Sequence, residues 1–73
     1  MKMTIESTTK TVKLNGIDCR IWEGSTQGGV KVHCFIPRVG VAEGQDVSEF
    51  ERELEQQVAP SEEIEAYPLR LII

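Results

Sequence analysis

Residues 10–22 read KTVKLNGIDCRIW, and the pair at their centre, Asn15-Gly16, decides how this end of the chain folds. A two-residue type I′ turn needs positive φ at both central positions, which Asn followed by Gly tolerates best. Such a turn fixes the register around it. Leu14 faces Ile17, Lys13 faces Asp18, Val12 faces Cys19 and Thr11 faces Arg20. Side chains alternate across a strand. The register therefore puts Val12, Leu14, Ile17, Cys19 and Ile21 on one face and Lys13, Asp18, Arg20 and Trp22 on the other. Turn chemistry and alternation point to one hairpin.

Working outward, EGSTQGG (residues 23–29) leads into VKVHCFIPRV (residues 30–39). Val30, Val32, Cys34 and Ile36 alternate with Lys31, His33 and Phe35. With Gly24 opposite Gly29 this is a third strand whose apolar side joins Cys19 and Ile21, and Cys34 lies directly across from Cys19. Pro37 cannot donate to a ladder and marks an edge, a bulge or the strand's end. MTIES (residues 3–7) reads as a further short strand.

The helix begins near Asp46–Ser48, where Asp46 with Glu49 or Ser48 with Glu51 fits a capping box. Val47, Phe50, Leu54 and Val58 recur at helical spacing as one apolar stripe, and Ala59-Pro60 ends it. SEEIEAY (residues 61–67) reads as one more turn, and LRLII (residues 69–73) as a final strand. The expected fold is α+β: an antiparallel sheet of three to five strands covered on one face by a single main helix, in the order β-β-β-β-α-β, forming one domain over residues 1–73. The expected core is Val12, Leu14, Ile17, Cys19, Ile21, Val32, Cys34, Ile36, Phe50, Leu54, Val58 and Leu71. A helix this short is not stable alone in water and must lay its stripe on the sheet.

Charge is divided along the chain. Residues 1–42 carry six basic and three acidic side chains; residues 43–65 carry nine acidic and one basic, within a net charge of −4. Acids near a helix N-terminus suit the macrodipole. Glu53 and Glu55 lie beyond that first turn, where like charges four apart cost stability. The fold does not need all of Glu49, Glu51, Glu53, Glu55, Glu62 and Glu63. As a group they are the candidate surface for another protein with a basic face. The second candidate is the outer sheet face, with Lys13, Arg20, Trp22, Lys31, His33 and Phe35. Basic groups interleaved with aromatics bind single-stranded nucleic acid, but here the aromatics are two and the chain is acidic, so nucleic acid is the less expected partner.

Other constellations read as structural. Cys19 and Cys34 are inward-facing thiols without metal-ligand spacing. His33, the one histidine, has no nucleophile or carboxylate at a spacing that implies a triad. The glycines of EGSTQGG lack the Lys-Ser/Thr and the helix of a phosphate loop. No enzyme, metal or cofactor is expected. The N-terminus has no apolar run or cleavage pattern, and no segment approaches the roughly 20 apolar residues that span a bilayer, so a cytoplasmic location is expected. The apolar LRLII edge and the Trp22/Phe35 face also lead us to expect a homodimer, and a structural homo-oligomer is a third functional class.

In size, single α+β unit, acidic balance and lack of a catalytic signature, the chain resembles the small accessory proteins of phages and prophages. That resemblance implies an inhibitor of a nucleic-acid-handling host complex, in the manner of anti-CRISPR proteins that set acidic surfaces against basic channels. It covers the whole chain as a type and carries over no functional residue.

The turn supports a first prediction. Gly16→Val should destabilise the chain by about 1 kcal/mol or more in urea unfolding, because a β-branched residue resists positive φ; unchanged stability would refute the turn type.

Overall fold

The computed structural model describes residues 1–62. Three strands, β1 (Met3–Leu14), β2 (Ile17–Thr26) and β3 (Lys31–Ile36), form one antiparallel sheet in that order, followed by helix α1 (Val47–Leu54). The fold is α+β, with three strands and one helix among the described residues. The two N-terminal strands expected from the sequence are one continuous strand. The expected last strand at LRLII and most of the turn at SEEIEAY lie outside the described residues.

The Asn15-Gly16 hairpin forms as read. Asn15 has φ 51° and Gly16 φ 80°. Val12 lies across from Cys19, Lys13 from Asp18 and Leu14 from Ile17. Lys13 Nζ stands 3.7 Å from Asp18 Oδ1, an exposed pair of small energetic weight.

The single strand β1 carries a bulge. Between the pairs Ser7–Trp22 and Thr11–Arg20, three residues of β1 (Thr8, Thr9 and Lys10) oppose only Ile21 of β2. The insertion is even, so the alternation resumes in phase on the far side. Thr8, fully buried, ties the bulge down: its Oγ1 donates to the Ile21 carbonyl at 2.7 Å and accepts from Lys10 N at 3.2 Å. Arg20 Nη1 donates to the Thr8 carbonyl at 2.9 Å. On the outer edge the Thr9 amide donates to the Val58 carbonyl, and the Val58 amide donates to the Ser7 carbonyl, each at 3.0 Å. The returning chain thus satisfies backbone groups that an edge strand would otherwise leave open. A buried threonine with both hydrogen-bonding functions used carries little desolvation penalty.

The second hairpin departs from the expectation. Gly24 does not face Gly29 but Val32, and Cys34 faces Trp22 rather than Cys19. The loop is the three residues Gln27-Gly28-Gly29. Gly29 has φ 88°, its amide donates to the Thr26 carbonyl at 3.0 Å, and Thr26 N donates to the Val30 carbonyl at 2.9 Å. An odd-numbered loop in place of an even one moves every β3 side chain to the other face. Val32, Cys34 and Ile36 therefore share a face with Arg20 and Trp22. Lys31, His33 and Phe35 share one with Ile21 and Glu23. Cys19 and Cys34 stand on opposite faces as free thiols.

The helix follows the apolar β3 residues. Phe50 and Leu54 meet Trp22, Ile36 and Val39 around a cleft of about 180 Å³, so α1 addresses the Trp22 face and not the Cys19–Ile21 face. The expected core is corrected accordingly. Cys19 and Ile21 are buried, while Val12, Leu14, Val32, Cys34, Ile36 and Phe50 are only half-buried. Ile17, Leu54 and Val58 are exposed, and Leu71 lies outside the described residues. The helix is also shorter than its stripe, since Val58 leaves it to pair with β1.

Gly24 is interior to β2 because β1 crosses it closely. A Cβ there would stand 1.8 Å from the Thr4 carbonyl oxygen and 2.7 Å from Ile5 Cα, both backbone atoms that cannot swing aside. Gly24→Ala should cost about 2–3 kcal/mol or more in urea unfolding. A loss below that of Gly16→Ala, where nothing lies within 4 Å, would refute the close crossing.

Candidate functional site

The acidic helix is assembled from few interactions. Asp46 is its N-cap, with Oδ1 accepting the Glu49 amide at 3.1 Å. Glu49 does not reach back to complete a capping box; its carboxylate pairs with Arg52 one turn on. The Glu55 amide donates to the Arg52 carbonyl at 3.3 Å and the Gln56 amide to the Glu53 carbonyl at 3.0 Å, tightening the last turn. No residue of α1 is buried.

At 100° per residue, Val47, Phe50 and Leu54 form a narrow apolar strip. Glu49 and Glu53, continued by Asp46, flank it on one side, and Glu51 and Glu55 flank it on the other. Glu49, Glu51, Glu53 and Glu55 are all exposed. Among the described residues the only ion pair on this helix is Glu49–Arg52. On the Glu49/Glu53 side, the loop from Gly40 to Asp46 and the helix line an open cleft of about 340 Å³, with Val41 and Phe50 beside Asp46, Glu49 and Glu53. In the sequence Asp46 reads only as a cap, and nothing brings Val41 to the helix.

The expected six-carboxylate surface is divided. Glu62 is exposed but belongs to a different cleft of about 620 Å³, over the Ile21 face, with Glu6, Glu23, Lys31, His33, Val58 and Ser61. Glu63 lies outside the described residues. In that cleft Glu6 and Glu23 are direct cross-strand neighbours, and His33 stands across from Glu23 on the other side. Two carboxylates placed opposite each other repel. Glu23 is anchored by accepting from Ser61 N at 2.9 Å and Ser61 Oγ at 2.5 Å.

The basic and aromatic constellation is divided too. Lys13, Arg20 and Trp22 stand on one face of the sheet, and Lys31, His33 and Phe35 on the other. Arg20 reaches the Thr8 carbonyl, and Trp22 is half-buried beside Phe50 and Leu54. Neither is an open platform for a base.

No family model, curated protein or solved structure matches the chain. Among the described residues no helix is long and apolar enough to cross a membrane, and no three His, Cys, Asp or Glu side chains are grouped to hold a metal ion.

Leu54 is 43% exposed, so its truncation removes little buried surface. Leu54→Ala should cost about 1 kcal/mol or less at roughly 25 cal/mol per Å². It should also shift the emission of Trp22, the only tryptophan, to the red, because Leu54 lines the same cleft. A loss of several kcal/mol, or unchanged emission, would mean that the helix is seated elsewhere.

Proposed function

We propose that the chain is a non-enzymatic protein-interaction module whose acidic helix engages a basic surface of another protein. The observation that carries this reading is the exposure of α1. The helix buries no residue, yet it holds four carboxylates within seven positions around an apolar strip. Internal packing engages the helix only in part, through the half-buried Phe50 and the edge of Leu54 beside Trp22. Like charges at Glu49/Glu53 and Glu51/Glu55, each four residues apart, work against it. A partner with Lys or Arg side chains relieves that repulsion and covers the strip. The most concrete form of the reading is an inhibitor that presents carboxylates to the basic channel of a nucleic-acid-handling complex. The alternative in which the chain itself binds nucleic acid is less favoured by this reading, since Lys13, Arg20 and Trp22 lie on the opposite face from Lys31, His33 and Phe35.

The test is capture of the partner by the immobilised chain, with identification and affinity measured at low and physiological salt. The retained protein is expected to be basic at its contact surface. Glu51→Lys with Glu55→Lys should weaken binding and flatten its salt dependence while leaving folding intact. Equal affinity for the reversed chain would make these acids a solvated face and nothing more.

A further inference from the structure

The cleft between the Gly40–Asp46 loop and α1 is more specific than a charged surface. Its apolar part is Val41 and Phe50, and its polar part is Asp46, Glu49 and Glu53. Two of the three carboxylates are already positioned: Asp46 by capping the helix, Glu49 by its pair with Arg52. Glu53, on the same side of the helix one turn beyond Glu49, takes part in no ion pair among the described residues. The neighbourhood is also apolar on the outside. Val39, Val41, Val47 and Leu54 are each between 37% and 53% exposed. A cleft that joins an aromatic ring and an aliphatic side chain to several carboxylates complements a side chain with an apolar stem and a delocalised cation.

We propose that this cleft seats an arginine side chain of another protein, flanked in its own sequence by aliphatic residues. The inference rests on the interaction reading above and names the chemistry of its partner. Arginine fits better than lysine for physical reasons. Its guanidinium is planar, stacks on an aromatic ring, offers five N–H donors to separate carboxylates and gives up its hydration more readily than an ammonium group. Its methylene stem lies along Val41 and Phe50 while the head reaches Glu53 beside Asp46. The flanking aliphatic residues cover Val47 and Leu54.

The experiment uses the full chain, labelled with nitrogen-15, and three tripeptide probes with blocked ends: Leu-Arg-Leu, Leu-Lys-Leu and Leu-citrulline-Leu. Titrations at physiological salt are followed by amide shifts. The arginine probe should give saturable shifts at Val41, Asp46, Glu49 and Glu53. The lysine probe should bind about threefold or more weakly, and the citrulline probe not measurably. Glu53→Gln and Val41→Ser should each weaken the arginine probe about three- to tenfold, while Glu51→Gln and Glu55→Gln should not. Both groups of variants change exposed side chains, and their spectra report folding directly. Equal binding of lysine and arginine, with all four glutamates contributing alike, would overturn the arginine seat and leave the basic-partner reading standing. Absence of saturable shifts in the cleft would overturn the seat, with the basic-partner reading then decided by capture alone. Shifts in the cleft that follow the chain's own concentration would make a second copy the occupant and also overturn the proposal.

Discussion

Thr26 closes the β2–β3 hairpin through three hydrogen bonds. Its amide donates to the Val30 carbonyl, its carbonyl accepts from the Gly29 amide, and its Oγ1 accepts from the Val30 amide at 3.1 Å. These bonds set the loop at three residues, and the parity of that loop decides where every β3 side chain stands. Val32, Cys34 and Ile36 consequently join Trp22, and this puts the helix on the Trp22 face. The opposite face keeps Val12, Leu14, Ile17, Cys19 and Ile21 near the Asn15-Gly16 turn but carries Glu6, Glu23, Lys31 and His33 toward the Thr26 end. Each face of the sheet is thus apolar over one half, and the two halves lie at opposite ends. The helix lies on the Trp22 face, while the two buried apolar residues among those described, Cys19 and Ile21, belong to the other.

The bulge and the glycine in the facing strand are a second constraint. Thr8 bonds to the Ile21 carbonyl across the bulge, so the extra residues of β1 are accommodated without orphaned buried groups. A bulge bends its strand and strengthens the local twist. Beyond it, β1 runs close over Gly24, where only a residue without a Cβ fits. The same irregularity exposes the outer edge of β1 to the returning chain, and Val58 fills it. Val58 therefore serves the sheet through its backbone, and its side chain, the last of the apolar stripe, is left exposed.

What the sequence made legible follows from the range of the interactions involved. The Asn15-Gly16 turn is local, both its residues demand an unusual φ, and its register was readable without any tertiary information. The helix start was readable for the same reason, since Asp46 caps a backbone amide three residues away. The β2–β3 register was not. TQGG offers glycine at two successive positions, and a turn with positive φ at either one is chemically reasonable; Thr26 fixes the three-residue loop through bonds that propensity does not encode. Gly24 looked like part of the turn because its true role depends on backbone four and five residues into the chain. The candidate carboxylates were legible as a group, but not their division. Which side of the helix meets the Gly40–Asp46 loop, and that Glu62 belongs with Glu23, are consequences of how the chain returns over the sheet.

The concentration of acid in one third of the chain takes on a physical meaning in this geometry. A helix of two turns is unstable alone, and among the described residues α1 is held by a cap, one ion pair and the packing of Phe50 and Leu54 beside Trp22. Its glutamates add repulsion to that small balance. A sequence under pressure for stability alone would replace them with neutral or alternating charges at little cost to solubility, because Asp18, Glu6 and Glu23 already lie elsewhere on the surface. Their placement on both flanks of a partly covered apolar strip is consistent with the proposed role, in which further cover and positive charge arrive together. On that reading the looseness of the helix and its charge are one property. The same arrangement that leaves α1 weakly held in the free chain leaves its carboxylates and its apolar strip open to a basic partner that supplies both.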